Sequence, residues 1–159
     1  LSCRMLMLAG IGDKDECGRL VDEAVESGEA LKRFEMMVKL QGGDVSYIED
    51  TSKFRKASFS REVYAPADGY ITHMDSEKIG LTAVLLGAGR EKKDDDINHA
   101  AGIIIAAKTG DFVKRGELLA TLFADDESLL DGAESRYLSA VSIGDKKPAE
   151  QPMILDYID

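Results

Sequence analysis

The spacing of apolar residues changes along the chain, and this change constrains the fold more than any other sequence feature. From Asp15 to Gln41 apolar residues recur at helical spacing with a break at Gly28, which predicts two short helices. Beyond Arg61 β-branched and aromatic residues alternate, which predicts strands. The sequence therefore predicts a helical segment followed by a β-rich module.

Capping and turn residues predict the individual elements. Asp13 or Asp15 is expected to cap the first helix, and Gly42 with Gly43 to end the second. Gly87 is expected to end a helix in the β-rich module. The other predictions there are strands over 63–65, 70–74, 101–107 (buried) and 118–123, helices over 76–86 and 127–143, and an edge strand over 153–155.

A glycine-rich run, LGAGR at residues 86–90, precedes an acidic stretch at residues 94–96. Glycine permits backbone conformations that are closed to other residues, and an arginine can bind a carboxylate or a phosphate with a fixed fork of donors. Arg90 therefore either fixes a loop or an interdomain contact, which the motif favours, or contacts a substrate. The acidic stretch is either a solvated turn or a partner of Arg90 in ion pairs across a cleft.

The composition disfavours several classes of partner. Twenty basic residues against 30 acidic ones give a formal net charge of -10. This charge disfavours nucleic acid binding and leaves no polybasic surface for an anionic membrane. Cys3, Cys17 and two histidines form no recognisable zinc or disulfide framework, so a reducing cytoplasm is expected. Cys17 is interpreted as a small helical residue rather than a nucleophile, because nothing in the sequence supplies a paired base.

Several motifs occur in the order in which one known family has them. They are LMLAG at 6–10, SGEALKRF at 27–34, QGGD at 41–44, ADGYI at 67–71, LGAGR at 86–90 and KTGDFVKRGELLA at 108–120. Together they resemble the carboxy-terminal part of the pyrimidine-nucleoside phosphorylases, a family that also contains thymidine phosphorylase. QGGD, LGAGR and KxGDxVxxGE in this order are much more specific than any one of them.

The resemblance implies an α+β fold class. Residues 1–43 would be a helical remnant of the family's α/β domain, residues 44–61 a linker, and residues 62–159 a small hammerhead-like α+β module, similar to a barrel-sandwich hybrid. The complete enzyme would be a cytoplasmic, homodimeric pentosyltransferase. It would cleave pyrimidine nucleosides (uridine, thymidine, deoxyuridine) with phosphate to the free base and (deoxy)ribose 1-phosphate.

The resemblance also implies that the family's phosphate-binding and base-binding residues precede Leu1. This chain would then hold no catalytic or substrate-binding residue and would be inactive without the missing amino-terminal domains. His73 and His99 do not match the family's histidine motif, and both are interpreted as ordinary strand or loop residues.

Two candidate sites in this chain follow from the resemblance. Bacterial members hold a monovalent cation, expected to be potassium in the complete enzyme, and the candidate ligands here are Leu6, Ala9 and Glu16. Cys17 replaces an acidic residue often found beside that glutamate, so the ligand set is either as assigned, shifted by one residue or absent. The second candidate site is for domain closure, with Arg90, Gly87 and Gly89, and no other cofactor is expected in this chain.

A second function class stays open. The segment KTGDFVKRG also resembles biotinyl and lipoyl carriers, because both use two glycine turns to return strands across a flattened barrel. A carrier displays its modified lysine between small apolar residues, typically as Met-Lys-Met or Asp-Lys-Ala, and neither tripeptide occurs here. The alternative to a phosphorylase fragment is therefore a standalone carrier or interaction module without catalysis.

Overall fold

The computed structural model describes residues 1–90, 92–94, 96–150, 152, 154 and 156. The predicted edge strand over 153–155 and the acidic stretch at 94–96 each include positions outside the described residues. The chain forms two compact units, Leu1–Phe54 and Arg55–Asp159. This division falls inside the predicted linker, and the proposed assignment of domains stays a prediction.

The first unit is built from helices. They are α1 (Ser2–Leu8), α2 (Lys14–Glu26), α3 (Glu29–Leu40) and α4 (Ser46–Glu49), followed by a 3₁₀ turn at Thr51–Lys53. The carboxylate of Asp13 caps α2, because it accepts the backbone N–H groups of Asp15 at 3.0 Å and Glu16 at 2.9 Å. Gly28 (φ 77°) separates α2 from α3, and Gly42 (φ 81°) follows α3. The predicted cap, break and exit are confirmed.

The second unit combines two small antiparallel sheets with helices, which confirms the α+β fold class. Its elements are β1 (Phe59–Tyr64), β2 (Gly69–Met74), α5 (Ser76–Ala83), a wider helical turn (Val84–Ala88), β3 (Gly102–Ile105), β4 (Phe112–Val113), β5 (Leu118–Ala124), α6 (Leu129–Ala140) and β6 (Val141–Gly144). One sheet has the strand order β1-β5-β3, and the other has the order β4-β2-β6.

The core of the second unit forms between the sheets, the wider helical turn and α6. Its largest fully buried side chains are those of Tyr137, Ile71, Leu86, Leu119, Leu122 and Leu130. Each such apolar side chain contributes about 1.5–3 kcal/mol relative to an exposed position. Arg61 of β1 also binds Asp131 at 2.8 Å and Glu134 at 3.0 Å, which ties α6 to the first sheet. On α6 the side chains of Leu130, Ala133, Tyr137 and Ala140 are buried.

Three predicted elements were wrong in extent or burial. The strand predicted as buried over 101–107 is the short edge strand β3, in which Ile104 is 63% exposed. A continuous apolar run does not reveal whether a strand is central or at an edge. The helix predicted to reach residue 143 ends at Ala140, because the next residues form β6 and pair with β2. Strand β1 begins at Phe59, within the predicted linker.

The segment KTGDFVKRGE contains two turns of the same geometry. In the first, the N–H of Asp111 donates to the Lys108 carbonyl at 3.0 Å, and Gly110 has φ 97°. The Asp111 carboxylate accepts the N–H of Lys108 at 2.7 Å. The second turn, Lys114–Glu117, repeats these features, with a 2.9 Å turn bond, a glycine at φ 83° and a 2.9 Å bond from the lysine N–H to the glutamate carboxylate.

Each of these turns binds one residue beside the turn at Asp68 and Gly69. Ala65 accepts from the Gly116 N–H at 2.8 Å and donates to the Glu117 carbonyl at 2.8 Å. Ile71 in turn accepts from the Gly110 N–H at 2.8 Å and donates to the Asp111 carbonyl at 2.9 Å. The KxGDxVxxGE motif is therefore a pair of equivalent backbone clamps on the two sides of one turn, which explains its glycines and acidic residues physically.

Candidate functional site

One backbone hydrogen bond joins the two ends of the loop that contains the glycine-rich run after α5. The carbonyl of Gly87 accepts the backbone N–H of Asn98 at 2.9 Å. Gly87 has φ 101°, a conformation that favours glycine. Residues 87 and 98 thus form the closed base of a loop, which contains the residues predicted to act in domain closure.

Asp125 anchors this loop base to the rest of the second unit. Its carboxylate accepts the Ser58 N–H at 2.8 Å, the Ser58 hydroxyl at 2.9 Å and the Asn98 side-chain amide at 2.8 Å, and it forms an ion pair with Arg55. The two bonds from Ser58, followed by those from Asn98 and Arg55, hold the pKa of Asp125 below its usual range. Asp125 is therefore ionised at neutral pH.

The side-chain oxygen of Asn98 also accepts hydrogen bonds. It accepts the N–H of Ala100 at 3.1 Å and a guanidinium N–H of Arg55 at 3.4 Å. The cluster of Arg55, Ser58, Asn98 and Asp125 was not predicted from the sequence, because its members lie up to 70 positions apart. The one sequence feature that could have indicated the cluster is its acidic residue, Asp125, which follows a strong strand pattern.

The predicted closure residues differ in how the structure uses them. Gly89 is extended, and a Cβ atom there would lie 2.7 Å from Cγ2 of Val84, so close packing requires glycine. Arg90 is exposed, and among the described residues it forms no ion pair with Asp94 or Asp96. The described partners of the ion pairs predicted for Arg90 are therefore not paired with it, and the role of Arg90 in closure stays a prediction.

A cleft of about 590 Å³ lies beside the loop base. Its walls come from residues 55–60 and 99–104 together with Phe123. The basic side chains of Arg55, Lys56 and His99 line it together with the aromatic rings of Phe59 and Phe123. This arrangement provides positive charge and apolar surface. His73, the other histidine, lies exposed in β2.

The predicted cation ligands lie around the loop that joins α1 to α2. The Leu6 carbonyl accepts the Ile11 N–H at 3.1 Å, which leaves one lone pair, and Ala9 is the residue after α1. The Glu16 carboxylate fills the space that a Cβ atom at Gly12 would occupy. Such hard oxygen donors fit an alkali cation in type. Among the described residues no group of three or more His, Cys, Asp and Glu side chains is placed to hold a metal ion, and the cation site stays a prediction.

Comparisons with known proteins identify relatives of the chain. The family model described as "Pyrimidine nucleoside phosphorylase C-terminal domain" matches residues 70–144. The pyrimidine-nucleoside phosphorylase of Bacillus subtilis (strain 168) is 39% identical over 130 residues, which cover 81% of this chain and 30% of that protein. The pyrimidine-nucleoside phosphorylase of Staphylococcus aureus (strain bovine RF122 / ET3-1) is 36% identical over 146 residues, which cover 91% of this chain and 34% of that protein.

The chain thus spans about a third of the length of the curated relatives that it matches. In the part of the chain that the structure describes, no helix is long and apolar enough to cross a membrane.

Proposed function

Since residues 70–144 belong to the pyrimidine nucleoside phosphorylase C-terminal domain family, we propose that the chain is the carboxy-terminal part of an enzyme that cleaves pyrimidine nucleosides with phosphate. The substrates are uridine, thymidine and deoxyuridine, and the products are the free base and (deoxy)ribose 1-phosphate, so the reaction is a pentosyl transfer. The observation that carries the proposal is the extent of the match, which reaches 91% of the chain and so includes helices outside the family domain.

Within that enzyme this part acts as a scaffold and supports closure of the active site. Phosphorolysis passes through a sugar with oxocarbenium character, so expelling water and positioning phosphate lower the barrier. The Gly87–Asn98 loop has a base fixed by a backbone hydrogen bond, and Arg90 within it is exposed. In the proposed mechanism Arg90 moves while the base of the loop stays in place, and Arg90 forms ion pairs when the cleft closes.

The hydrogen bonds of Asp125 fit a scaffold role for this part of the enzyme. Its carboxylate accepts two hydrogen bonds from Ser58, one from Asn98 and one from Arg55. These four bonds use the four acceptor positions of a carboxylate. The group therefore stabilises this chain and has no acceptor position left for a substrate. The catalytic and substrate-binding residues of the proposed enzyme lie in the preceding domains, and the chain by itself is inactive.

Other features of the proposed enzyme rest on the same family relationship. It is a cytoplasmic homodimer, and its partners within the polypeptide are the amino-terminal domains. Leu6, Ala9 and Glu16 hold a potassium ion with backbone carbonyls and a carboxylate. That ion would neutralise local negative charge and fix the geometry of the α1–α2 loop.

The decisive experiment compares the complete natural protein with the 159-residue chain. Both are incubated with uridine, thymidine or deoxyuridine, with and without phosphate, and release of uracil and thymine is followed by chromatography. We expect phosphate-dependent release by the complete protein and none by the chain. A complete protein that releases no base, or releases it equally without phosphate, would contradict the proposal.

The carrier alternative is favoured by one observation, the pair of equivalent glycine turns that begin at Lys108 and Lys114. A biotinyl or lipoyl carrier gains a defined mass on one lysine when it is produced with the matching ligase. The intact mass of the chain after production with each ligase separates the two functions. We expect no mass increase, and a single modified lysine would favour the carrier.

A further inference from the structure

The two outer strands of the first sheet begin at the same end of that sheet. Strands β1 and β3 both pair antiparallel with the central strand β5, so they run in the same direction. The segments that precede them, residues 55–58 and 99–101, therefore meet where β5 ends. Both segments contribute to the walls of the cleft of about 590 Å³ beside the loop base, which we call the sheet-end cleft.

Asp125, directly after β5, holds the two walls of the sheet-end cleft together. Its carboxylate forms an ion pair with Arg55 of one wall and accepts the side-chain amide of Asn98, at the start of the other wall, at 2.8 Å. A guanidinium N–H of Arg55 also donates to the side-chain oxygen of Asn98 at 3.4 Å. Lys56 follows Arg55 and His99 follows Asn98, and both line the cleft. The two basic residues are therefore fixed at the same end of the cleft.

A half-buried aromatic ring lines the cleft within the sheet. Phe123 of β5 lies directly opposite Ser60 of β1 and Gly102 of β3, so the three residues form one row on one face of the sheet. Gly102 has no side chain, and a Cβ atom there would meet no other atom within 4 Å. Ser60 adds only a hydroxymethyl group. The ring of Phe123 thus has two small neighbours in its row, which leaves room for a planar ring to stack on it.

The sheet-end cleft is basic although the chain is acidic. Arg55, Lys56 and His99 line it, and none of the described residues that line it is acidic, in a chain with 30 acidic residues. Arg55 is paired with Asp125. Lys56 is exposed and forms no ion pair within the part of the chain that the structure describes. An ammonium group of this kind binds phosphate as a point charge, so the cleft is the charge complement of an anionic ligand.

We propose that the sheet-end cleft binds a nucleoside monophosphate, with its base stacked on Phe123 and its phosphate bound by Lys56 and His99. The hydroxyl of Ser60, in the same row as the ring, is a partner for the sugar. The cleft volume of about 590 Å³ lies in the range of small-molecule sites, about 300–1,000 Å³. This inference goes beyond the proposed function and does not depend on it, since it uses only contacts within the second unit.

The positions of the binding groups favour a nucleotide over a ring that carries its phosphate directly. Lys56 and His99 precede the strands, whereas Phe123 lies within the sheet, so the anionic group and the ring of the ligand are separated along the cleft. The sugar of a nucleotide supplies this separation. The ligand therefore has three parts, and each part has its own protein partner.

Calorimetric titration of the complete natural protein with adenosine monophosphate tests the site. The buffer is free of phosphate and low in salt, because surface charges are screened at high ionic strength. Adenosine lacks the phosphate and ribose 5-phosphate lacks the base, so they are the matched probes. We expect each of them to bind at least about tenfold more weakly than adenosine monophosphate. Added salt should weaken the binding of adenosine monophosphate but leave that of adenosine unchanged.

Variants locate the binding in the cleft. Lys56→Glu reverses the charge at an exposed position and should weaken binding of adenosine monophosphate at least about tenfold. Lys146→Glu makes the same change at an exposed position outside the cleft and should leave the affinity unchanged. Phe123→Leu removes the ring and should weaken binding of adenosine monophosphate but not of ribose 5-phosphate. Thermal unfolding checks that each variant is folded, and Lys56→Glu keeps the test decisive if Phe123→Leu does not fold.

Three results would overturn the proposal. They are no binding of adenosine monophosphate, equal weakening by Lys56→Glu and Lys146→Glu, and ribose 5-phosphate binding as tight as that of adenosine monophosphate. The last result would mean that stacking on Phe123 contributes nothing. A protein that binds adenosine monophosphate through Lys56 but releases no base from nucleosides would retain this site and contradict only the proposed function.

Discussion

The side-chain amide of Asn98 donates to the carboxylate of Asp125 at 2.8 Å, although the two residues are 27 positions apart. The backbone N–H of the same asparagine donates to Gly87 at 2.9 Å. Asn98 is therefore the link between the base of the glycine-rich loop and the end of β5.

Asn98→Ala should destabilise the second unit and loosen the loop base. The substitution removes one donor to Asp125 and the acceptor of the Ala100 N–H, and a lost hydrogen bond of this kind costs about 1–2 kcal/mol. Urea unfolding measures the stability, and hydrogen exchange of the Asn98 backbone amide measures the opening of the loop base. Lys93→Ala, at an exposed position of the same loop, is the matched control and should change neither quantity.

Asp125 predicts a pH dependence of stability. Its pKa is lowered in the folded state, so in acid the unfolded chain binds more protons than the folded chain does. The stabilisation is complete well above about pH 4, the ordinary aspartate pKa, and is lost as pH falls through the lowered folded-state value. Urea unfolding of the wild type and of Asp125→Asn should therefore give stabilities that converge in strong acid. A constant difference down to pH 2 would contradict this prediction.

Gly69→Ala should be strongly destabilising. Gly69 has φ 150°, and an added Cβ atom would lie 2.7 Å from Cγ2 of Ile143 and 2.9 Å from the carbonyl oxygen of Gly144. Backbone strain and overpacking each cost about 1–3 kcal/mol, so the free energy of unfolding should fall by about 2–6 kcal/mol. Thermal unfolding followed by circular dichroism measures the loss.

Gly80→Ala is the matched control for that substitution. Gly80 lies inside α5, and an added Cβ atom there meets nothing within 4 Å. Alanine is favoured over glycine in a helix by about 0.5–1 kcal/mol, so this variant should be more stable than the wild type. Equal destabilisation by the two alanines would show that the close contacts at Gly69 are not the cause.

Tyr137→Phe should leave stability unchanged or raise it slightly. Tyr137 is fully buried, and its hydroxyl has no hydrogen-bond partner in the part of the chain that the structure describes. Removing an unsatisfied buried hydroxyl while keeping the ring should change the unfolding free energy by up to about 1 kcal/mol in favour of the folded state. Tyr137→Leu, which removes the ring, should lose about 1–3 kcal/mol. A large loss in the phenylalanine variant would mean that the hydroxyl is hydrogen-bonded.

Arg90→Ala in the complete protein should lower turnover more than stability. Arg90 is exposed on the loop, so its removal costs little folding energy, whereas an ion pair formed only on closure contributes to the transition state. We expect kcat to fall about tenfold, which corresponds to about 1.4 kcal/mol, with an unchanged urea midpoint. Lys93→Ala is again the matched control. Equal kcat values would remove the closure role.

Local features of the fold could be predicted from the sequence because they depend on residues a few positions apart. The Asp13 cap uses donors two and three residues later, and the helix break needs only the left-handed conformation of Gly28. The glycine turn beginning at Lys108 is local in the same way. The order of several such motifs was also sufficient to recognise the family.

The candidate site could not be predicted in the same way. The Asp125 cluster joins residues separated by 27 to 70 positions, and no local pattern indicates which distant donors will meet one carboxylate. The edge position of β3 and the change from α6 to β6 could not be predicted for the same reason. Both depend on which strands pair in the folded chain, and strand pairing depends on tertiary contacts.

By itself, therefore, the sequence determined the helix caps, the glycine turns, the α+β class and the family, because short-range backbone preferences and motif order are written directly in it. Only the tertiary structure decided which apolar strand was exposed at an edge and how Asn98 connects Gly87 to Asp125. The physical reason is that burial and hydrogen-bond satisfaction are properties of the packed chain, in which residues far apart in sequence compete for the same neighbours.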